Sequence, residues 1–413
     1  MPELSLTQRL AHHLERPVAK DNLHRARLHL LDWLGCVAGA RRGEVAAAAR
    51  AAEPDALLRA AMLGNVMEMD DVHRAAILHP GPVVWPAALI AARERGAGMA
   101  DLLAAGVRGY EAMIAVGATF DAYHYARWHN TATAGGFGAV AAAASILGLT
   151  GARLVDALGN AGSVAGGLWR MRHEPVATKQ LHVAHVVRTG TWIARLAAHG
   201  LTGPSAILEG EQGLYAAMTE RPKPLRLGEG WRMDEVSFKP WPACRHAHPA
   251  IDAALELKAS GALKPPVRVE TYADAVAFCD RPEPHSPIEA KFSIQHSVAV
   301  AIAHGTPELR HFEDLADAQV AALRGQVDVV ESAEFTARYP DHFGAKVSAG
   351  GASVELVDTR GDPERPLAPA AIGAKALSLM AWGGITDGAR AVHAALSHDG
   401  DAAPLVALLE DWL

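Results

Sequence analysis

Cysteine is scarce in this chain: Cys36, Cys244 and Cys279 stand far apart among 413 residues. So thin a set excludes a disulfide framework and a cluster held by closely spaced thiolates, and it fits a reducing cytoplasm. Basic runs are also missing. With a formal net charge of −7, the sequence offers no surface for nucleic acid. The longest small-apolar run, Gly138 to Leu149, is too short to cross a bilayer, so no membrane partner is expected. The opening residues, Met-Pro-Glu-Leu-Ser-Leu-Thr-Gln, lack the basic and apolar regions of a secretory leader, which again predicts a cytoplasmic protein. Aromatic residues make up only 6%, whereas alanine and leucine dominate a composition that is 50% hydrophobic and 21% charged. That balance predicts a globular chain with a large core and a bias toward helix.

Against this bland background, residues 64–81 stand out. Glu68, Asp70, Asp71, His73 and His79 fall close together inside an alanine-rich, apolar region. Such a cluster must be solvated, paired or coordinated, because an isolated buried charge is too costly. His79-Pro80-Gly81 leads into a helix with prolines near its first turn, where exposed N–H groups favour an anion. A second histidine, His129, precedes Thr131 and Thr133 and then a small-residue helix from Phe137. Lys179 falls at or just before the start of a long helix, about Leu181 to His199. A lysine opposes the helix dipole there, so a negatively charged partner would rationalise it. Lys239, Cys244, Arg245, His246 and His248 form a third group ahead of a helix over Ala250–Ser260. The trio Cys244, His246 and His248 lacks the second pair of a zinc site, so no metal is expected.

The pattern along the chain predicts two helices in residues 5–40, a continuous helix over Ala46–Leu63 and another over Asp101–Ala118. Asp32, embedded among leucines, reads as a paired or capping core acid. Beyond Pro265 the texture changes. Residues 267–276, 327–332 and 352–358 alternate with period two and read as strands, with helices over Phe292–His304 and Asp314–Arg324 between them. Helical composition returns from Ala368. The expected architecture is therefore mainly α: a large all-helical domain (1–234 and 367–413) with an inserted, smaller α+β domain at 235–366.

Five motifs in order resemble the MmgE/PrpD family. They are Glu68-x-Asp70-Asp71-x-His73 with His79-Pro80-Gly81, Trp128-His129-x-Thr131-x-Thr133, Lys179-x-Leu181-His182, Lys239-Pro240-x-Pro242-x-Cys244-Arg245-x-x-His248-Pro249, and Lys291-Phe292-Ser293. The resemblance implies that the α+β domain is a lid over the helical one, that the protein is a homodimer, and that cofactor-free chemistry occurs in the cleft between domains. The substrate would be a small di- or tricarboxylate. The family contains 2-methylcitrate dehydratase, cis-aconitate decarboxylase and iminodisuccinate epimerase, which remove a proton α to a carboxylate and then expel water or CO2 or return the proton. The resemblance places His79, His129, Lys179 and Asp71 in catalysis. It places Glu68, Asp70, His73, Thr131, Lys239, Cys244, Arg245, His248 and His296 around the substrate. Val72 and Cys244 stand where the decarboxylases of the family carry threonine and histidine, and His296 replaces a tyrosine common in the family. A hydro-lyase of the 2-methylcitrate dehydratase type is the leading expectation, ahead of an epimerase of imino- or amino-dicarboxylates and a decarboxylase.

Overall fold

The computed structural model describes residues 3–174, 176–397 and 399–413; Met1 and Pro2, the head of the stretch read for a leader, lie outside them. The described chain is mainly α, 58% helical, with one small four-stranded sheet. It divides into two compact units, Met1–Val236 with Ala368–Leu413, and Ser237–Leu367.

In the first unit, Ser5 and Gln8 form a capping box that starts α1 (Leu6–Leu14). The long α2 (Lys20–Ala40) follows and is buried from Ala26 onward. The single helix expected over Ala46–Leu63 is two, α3 (Glu44–Ala52) and α4 (Ala56–Leu63). Pro54 cannot continue a helix, and the Asp55 side chain caps the new one by accepting from the Leu57 N–H at 2.9 Å. Then come α5 (Gly81–Arg95), α6 (Met99–Gly117) and the single turn α7 (Ala122–Tyr125). The helix expected from Phe137 begins seven residues earlier, as α8 (Asn130–Leu147) with His129 at its N-cap. After it lie α9 (Gly151–Ser163), α10 (Thr178–Ala198) and α11 (Leu214–Met218).

The α8 helix carries no charge and is buried nearly all round, packed against α5, α6 and α10. Two facing glycines make the α6–α8 contact possible. A methyl group on Gly109 would lie 3.0 Å from the Gly138 carbonyl, and one on Gly138 would lie 2.8 Å from Met113 Cβ.

The second unit starts with α12 (His248–Ala259) and continues through β1 (Val267–Thr271), α13 (Ala273–Cys279), α14 (Pro287–Lys291), α15 (Ile294–His304), α16 (Arg310–Glu313) and α17 (Ala318–Arg324). It ends with β2 (Val327–Glu331), α18 (Ala333–Arg338), β3 (Ala345–Ala349) and β4 (Ala352–Leu356). The strand expected over 267–276 stops at Thr271, because the run Ala-Asp-Ala-Val-Ala-Phe that follows Tyr272 favours helix. The sheet order is β2-β1-β3-β4, with β1 parallel to β2 and the other pairs antiparallel. Strand β3, not foreseen, is joined to β4 by Gly350-Gly351, whose φ values of 58° and 83° suit a two-residue hairpin turn. Val267, Val269, Ala345 and Val347 put their buried sides into one core with residues of α12 and α15.

The chain then returns to the first unit as α19 (Pro369–Trp382), α20 (Gly388–Leu396) and α21 (Ala403–Trp412). Helix α19 lies close along α2, where a methyl group on Gly35 would meet the Ala376 Cα at 2.8 Å. Among the described residues no helix is long and apolar enough to cross a membrane.

Candidate active site

Residues 64–80 link α4 to α5, and most of them are buried. The link is held in shape by its own polar groups. His73 and Leu78 exchange main-chain hydrogen bonds at 2.9 and 3.3 Å, closing a tight loop in which Ile77 has φ 51°. His73 Nδ1 accepts from the Ala76 N–H at 3.1 Å, so its proton is on Nε2, which donates to Glu235 at 2.9 Å. Burial lowers His73, against the pull of Glu235, while that hydrogen bond lowers Glu235. Both ring nitrogens of His73 are thus engaged, one within the loop and one with Glu235, at a residue that the resemblance placed around the substrate.

Asp71 is anchored still more firmly. One carboxylate oxygen accepts from His29 on α2 at 2.8 Å and from the Tyr110 hydroxyl on α6 at 2.5 Å. The other accepts from the Gly81 N–H at the start of α5, at 2.9 Å. Burial takes His29 down to about 4 and Tyr110 well above its ordinary range, with the Asp71 charge adding to the latter. Asp71 thus ties three helices together. Its side chain is a structural node, at a residue that the resemblance placed in catalysis.

Its neighbour Asp70 faces the chemistry. Asp70 is 1% exposed, and its Oδ2 lies 2.9 Å from His79 Nδ1. The same nitrogen lies 2.9 Å from the Asp71 main-chain carbonyl. A carbonyl can only accept, so Nδ1 carries a proton and the lone pair of the imidazole form is on Nε2. Thr131 Oγ1 accepts from the His79 N–H at 3.1 Å, fixing the backbone on which the ring is mounted.

His129 approaches from another direction. Its N–H donates to the Gly167 carbonyl at 2.8 Å, and its ring stacks on Trp169 with centroids 4.6 Å apart and planes 10° apart. His182, in the second turn of α10, lies 3.4 Å away, Nδ1 to Nδ1. Burial holds His129 far below the ordinary imidazole range, and Lys179, His182 and His79 push it the same way. His182 is lowered by burial and by His185. Lys179, in the first turn of α10, donates to Glu68 at 2.5 Å, supplying the negative partner that its place in the helix called for. Glu68 is 3% exposed and has φ 55°, a left-handed conformation costly for a residue with a Cβ.

The first unit therefore brings Glu68, Asp70, His79, His129 and Lys179 together, joined by His182 and Trp169. The N-termini of α8 and α10 meet there, so two positive helix ends and an ammonium surround the buried His129 and its half-buried neighbours His79 and His182. Such a spot suits an anion with more than one carboxylate, close to a carboxylate-supported imidazole able to take a proton.

The remaining expected site residues lie in the second unit, and several are engaged there. Arg245 pairs with the buried Asp362 and donates to the Arg360 carbonyl at 3.1 Å. His248 Nε2 donates to the Ala243 carbonyl at 3.1 Å, and its Nδ1 accepts from Arg245 at 3.2 Å. His296 is 1% exposed, donates to the His311 carbonyl at 2.7 Å and is lowered by burial to about 4. Lys239 and Cys244 are both buried, and the Cys244 N–H donates to the Lys291 carbonyl at 2.7 Å. His246 is stacked between Phe278 and Phe343 with Nδ1 against the Tyr272 hydroxyl, an aromatic setting.

Sequence reading missed His29, Tyr110 and Lys375, and gave His182 no role. Lys375 lies against the main-chain oxygen of Met69, next to Asp70. The signal for His29 and Lys375 was present as polar residues in largely apolar helices, but nothing local named the partner.

Fold and site thus define a mainly helical protein of two units whose first unit gathers acids, histidines and a lysine around a buried anion-favouring spot. Two family models match, the MmgE/PrpD N-terminal domain over residues 51–226 and the MmgE/PrpD C-terminal domain over residues 241–396. The chain belongs to the MmgE/PrpD family. Among curated relatives it is 31% identical over 191 residues to cis-aconitate decarboxylase of Homo sapiens, covering 43% of this chain and 39% of the relative. It is 29% identical over 219 residues to 2-methylcitrate dehydratase of Cupriavidus necator, covering 49% and 45%. In these two the match spans less than half of the relative. With cis-aconitate decarboxylase of Aspergillus terreus the identity is 25% over 395 residues, covering 83% of this chain and 79% of the relative.

Proposed function

We propose that this protein is a cofactor-independent lyase that removes a proton α to a carboxylate of a small di- or tricarboxylate, in the manner of a 2-methylcitrate dehydratase. The observation that carries the reading is the Asp70–His79 pair. A proton fixed on Nδ1 by the Asp71 carbonyl leaves Nε2 as the base, and the buried Asp70 carboxylate 2.9 Å from Nδ1 stabilises the imidazolium that forms. His79 takes the Cα proton, the C–H electrons form the new double bond, and the β-hydroxyl departs as water with a proton from a second group.

His129 supplies that proton in this scheme. Free of substrate it is held neutral by burial and by the positive groups around it. A bound polycarboxylate brings negative charge to the same spot and so favours protonation of His129 only when substrate is present. Lys179 and the α8 and α10 N-termini hold the carboxylates and stabilise the enolate-like charge of the transition state.

A decarboxylase acting on an unsaturated tricarboxylate is the second reading. It is favoured by a match over 395 residues to a relative named cis-aconitate decarboxylase. Epimerisation of an imino-dicarboxylate by the same proton abstraction is a third outcome.

NMR of the EDTA-treated protein in D2O tests these together, with 2-methylcitrate, citrate, cis-aconitate and the iminodisuccinate stereoisomers as substrates. Loss of hydroxyl with a new vinylic signal marks dehydration, CO2 release marks decarboxylation, and exchange alone marks epimerisation. No reaction with any of the panel by folded protein sinks the proposal.

A further inference from the structure

An ion pair that sequence analysis did not connect to the site lies directly behind it. Lys375, from α19, places its ammonium 2.6 Å from Asp32 Oδ1 on α2 and 2.5 Å from the main-chain oxygen of Met69. Lysine and aspartate are 9% and 1% exposed. Met69 joins Glu68 to Asp70. The carbonyl held by Lys375 therefore belongs to the short segment carrying both the carboxylate of the Lys179 pair and the carboxylate of the His79 pair.

The pair is not needed merely to pack α2 against α19. Elsewhere that contact is made by small and apolar groups, Gly35 on Ala376 and Gly39 on Leu379. A buried ion pair adds little stability over apolar residues of the same volume, so its presence calls for another explanation. The segment it grips needs holding: Glu68 sits at φ 55°, and Asp70 and Asp71 place two further acids beside Asp32. Burial raises Asp32 to about 6 despite the Lys375 charge, while Asp32 and Asp70 keep Lys375 above its ordinary value against the effect of burial. Lys375 is thus a buried cation set among these acids.

We propose that Lys375 is a positioning residue for the reaction: with Asp32 as its counter-ion, it fixes the Glu68–Asp70 backbone and thereby the aim of His79 and Lys179. The proposal rests on the reading of His79 as the base. Lys375 itself touches neither the imidazole nor the substrate in this scheme.

Lys375→Met alone strands a buried carboxylate, so the double variant Asp32→Asn/Lys375→Met, which removes both charges, carries the test. Two readouts are taken: turnover of whichever substrate the wild type accepts, and the proton NMR resonance of the His79 Nδ1–H, assigned by its loss in His79→Asn. The expected result is a kcat lower by about 100-fold with KM changed far less, as for a base displaced by about an ångström, and a shifted or vanished Nδ1–H resonance in a folded protein. A double variant with wild-type kcat, or one whose Nδ1–H resonance matches the wild type, overturns the proposal. Should the wild type act on no polycarboxylate, the lyase reading fails by itself. The resonance then still decides whether Lys375 positions His79.

Discussion

His79 Nδ1 lies 2.9 Å from the Asp70 carboxylate as an ion-pair partner and donates its hydrogen bond to the Asp71 main-chain carbonyl at 2.9 Å. The two contacts separate two roles that are often conflated. The carbonyl alone is enough to fix the tautomer, whereas the carboxylate alone stabilises charge on the ring.

Two substitutions should therefore differ in degree. His79→Asn removes the base and should lower turnover by roughly 100- to 10,000-fold, the usual contribution of a positioned general base. Asp70→Asn leaves the tautomer to the carbonyl and should lower kcat less, with little change in KM. Steady-state kinetics on the accepted substrate checks the order; equal losses would show that His79 is not the base.

Asp71 should behave otherwise. Asp71→Ala leaves His29, the Tyr110 hydroxyl and the Gly81 N–H without the acceptor they share in the core. A buried donor left unsatisfied costs about 1–3 kcal/mol, so the loss of stability should reach about 3 kcal/mol or more. Urea unfolding measures it. A variant as stable as the wild type would contradict the nodal role.

Lys179→Met should act on binding as well as on turnover. It removes a cation beside two helix N-termini while leaving the His79 imidazole in place, so KM for a polycarboxylate should rise more than tenfold, about 1.4 kcal/mol or more. The effect should shrink for a monocarboxylate analogue. An unchanged KM would separate Lys179 from substrate binding.

Acid should destabilise the protein between pH 6.5 and about 4. Burial holds His29, His124 and His296 at about 4 and His246 at about 3 in the folded chain, against 6.5 when exposed. In that window the unfolded chain binds more protons, so stability falls as the pH falls. Asp32 works the other way, because its folded value is raised from 3.8 to about 6 and the folded state binds its proton first. Burial also raises Asp234, but the four imidazoles outweigh the two carboxyls, and the urea midpoint should be lower at pH 5 than at pH 7. A higher midpoint at pH 5 would refute the assignment.

How much of this was legible in the sequence depends on the distance between partners. Glu68, Asp70 and His79 could be read because acids and histidines crowd one short stretch in an apolar setting, and the structure brings Asp70 and His79 together. Asp71 looked equally chemical, but its partners His29 and Tyr110 lie 42 and 39 residues away on other helices. A pattern shows residue type, whereas role is decided by what a side chain touches. The same holds for His73, Arg245 and His248, which are engaged with Glu235, Asp362 and Ala243. Helical periodicity gave most of the first unit, missing the Pro54 break and the early start of α8. Strand β3 escaped because Ala345 and Ala349 give only a faint apolar alternation.

The reach of Lys375 to Met69 also has a consequence for synthesis. The two residues are 306 positions apart, and residues 237–367 of the second unit are translated between them. On the ribosome the loop that carries Asp70 and His79 emerges long before the ammonium that steadies it, and Asp32 waits equally long for its counter-charge. Contacts so distant in sequence form slowly. A nascent chain would therefore hold a fully synthesised but unbraced loop until α19 emerges, and competence would arrive late and all at once.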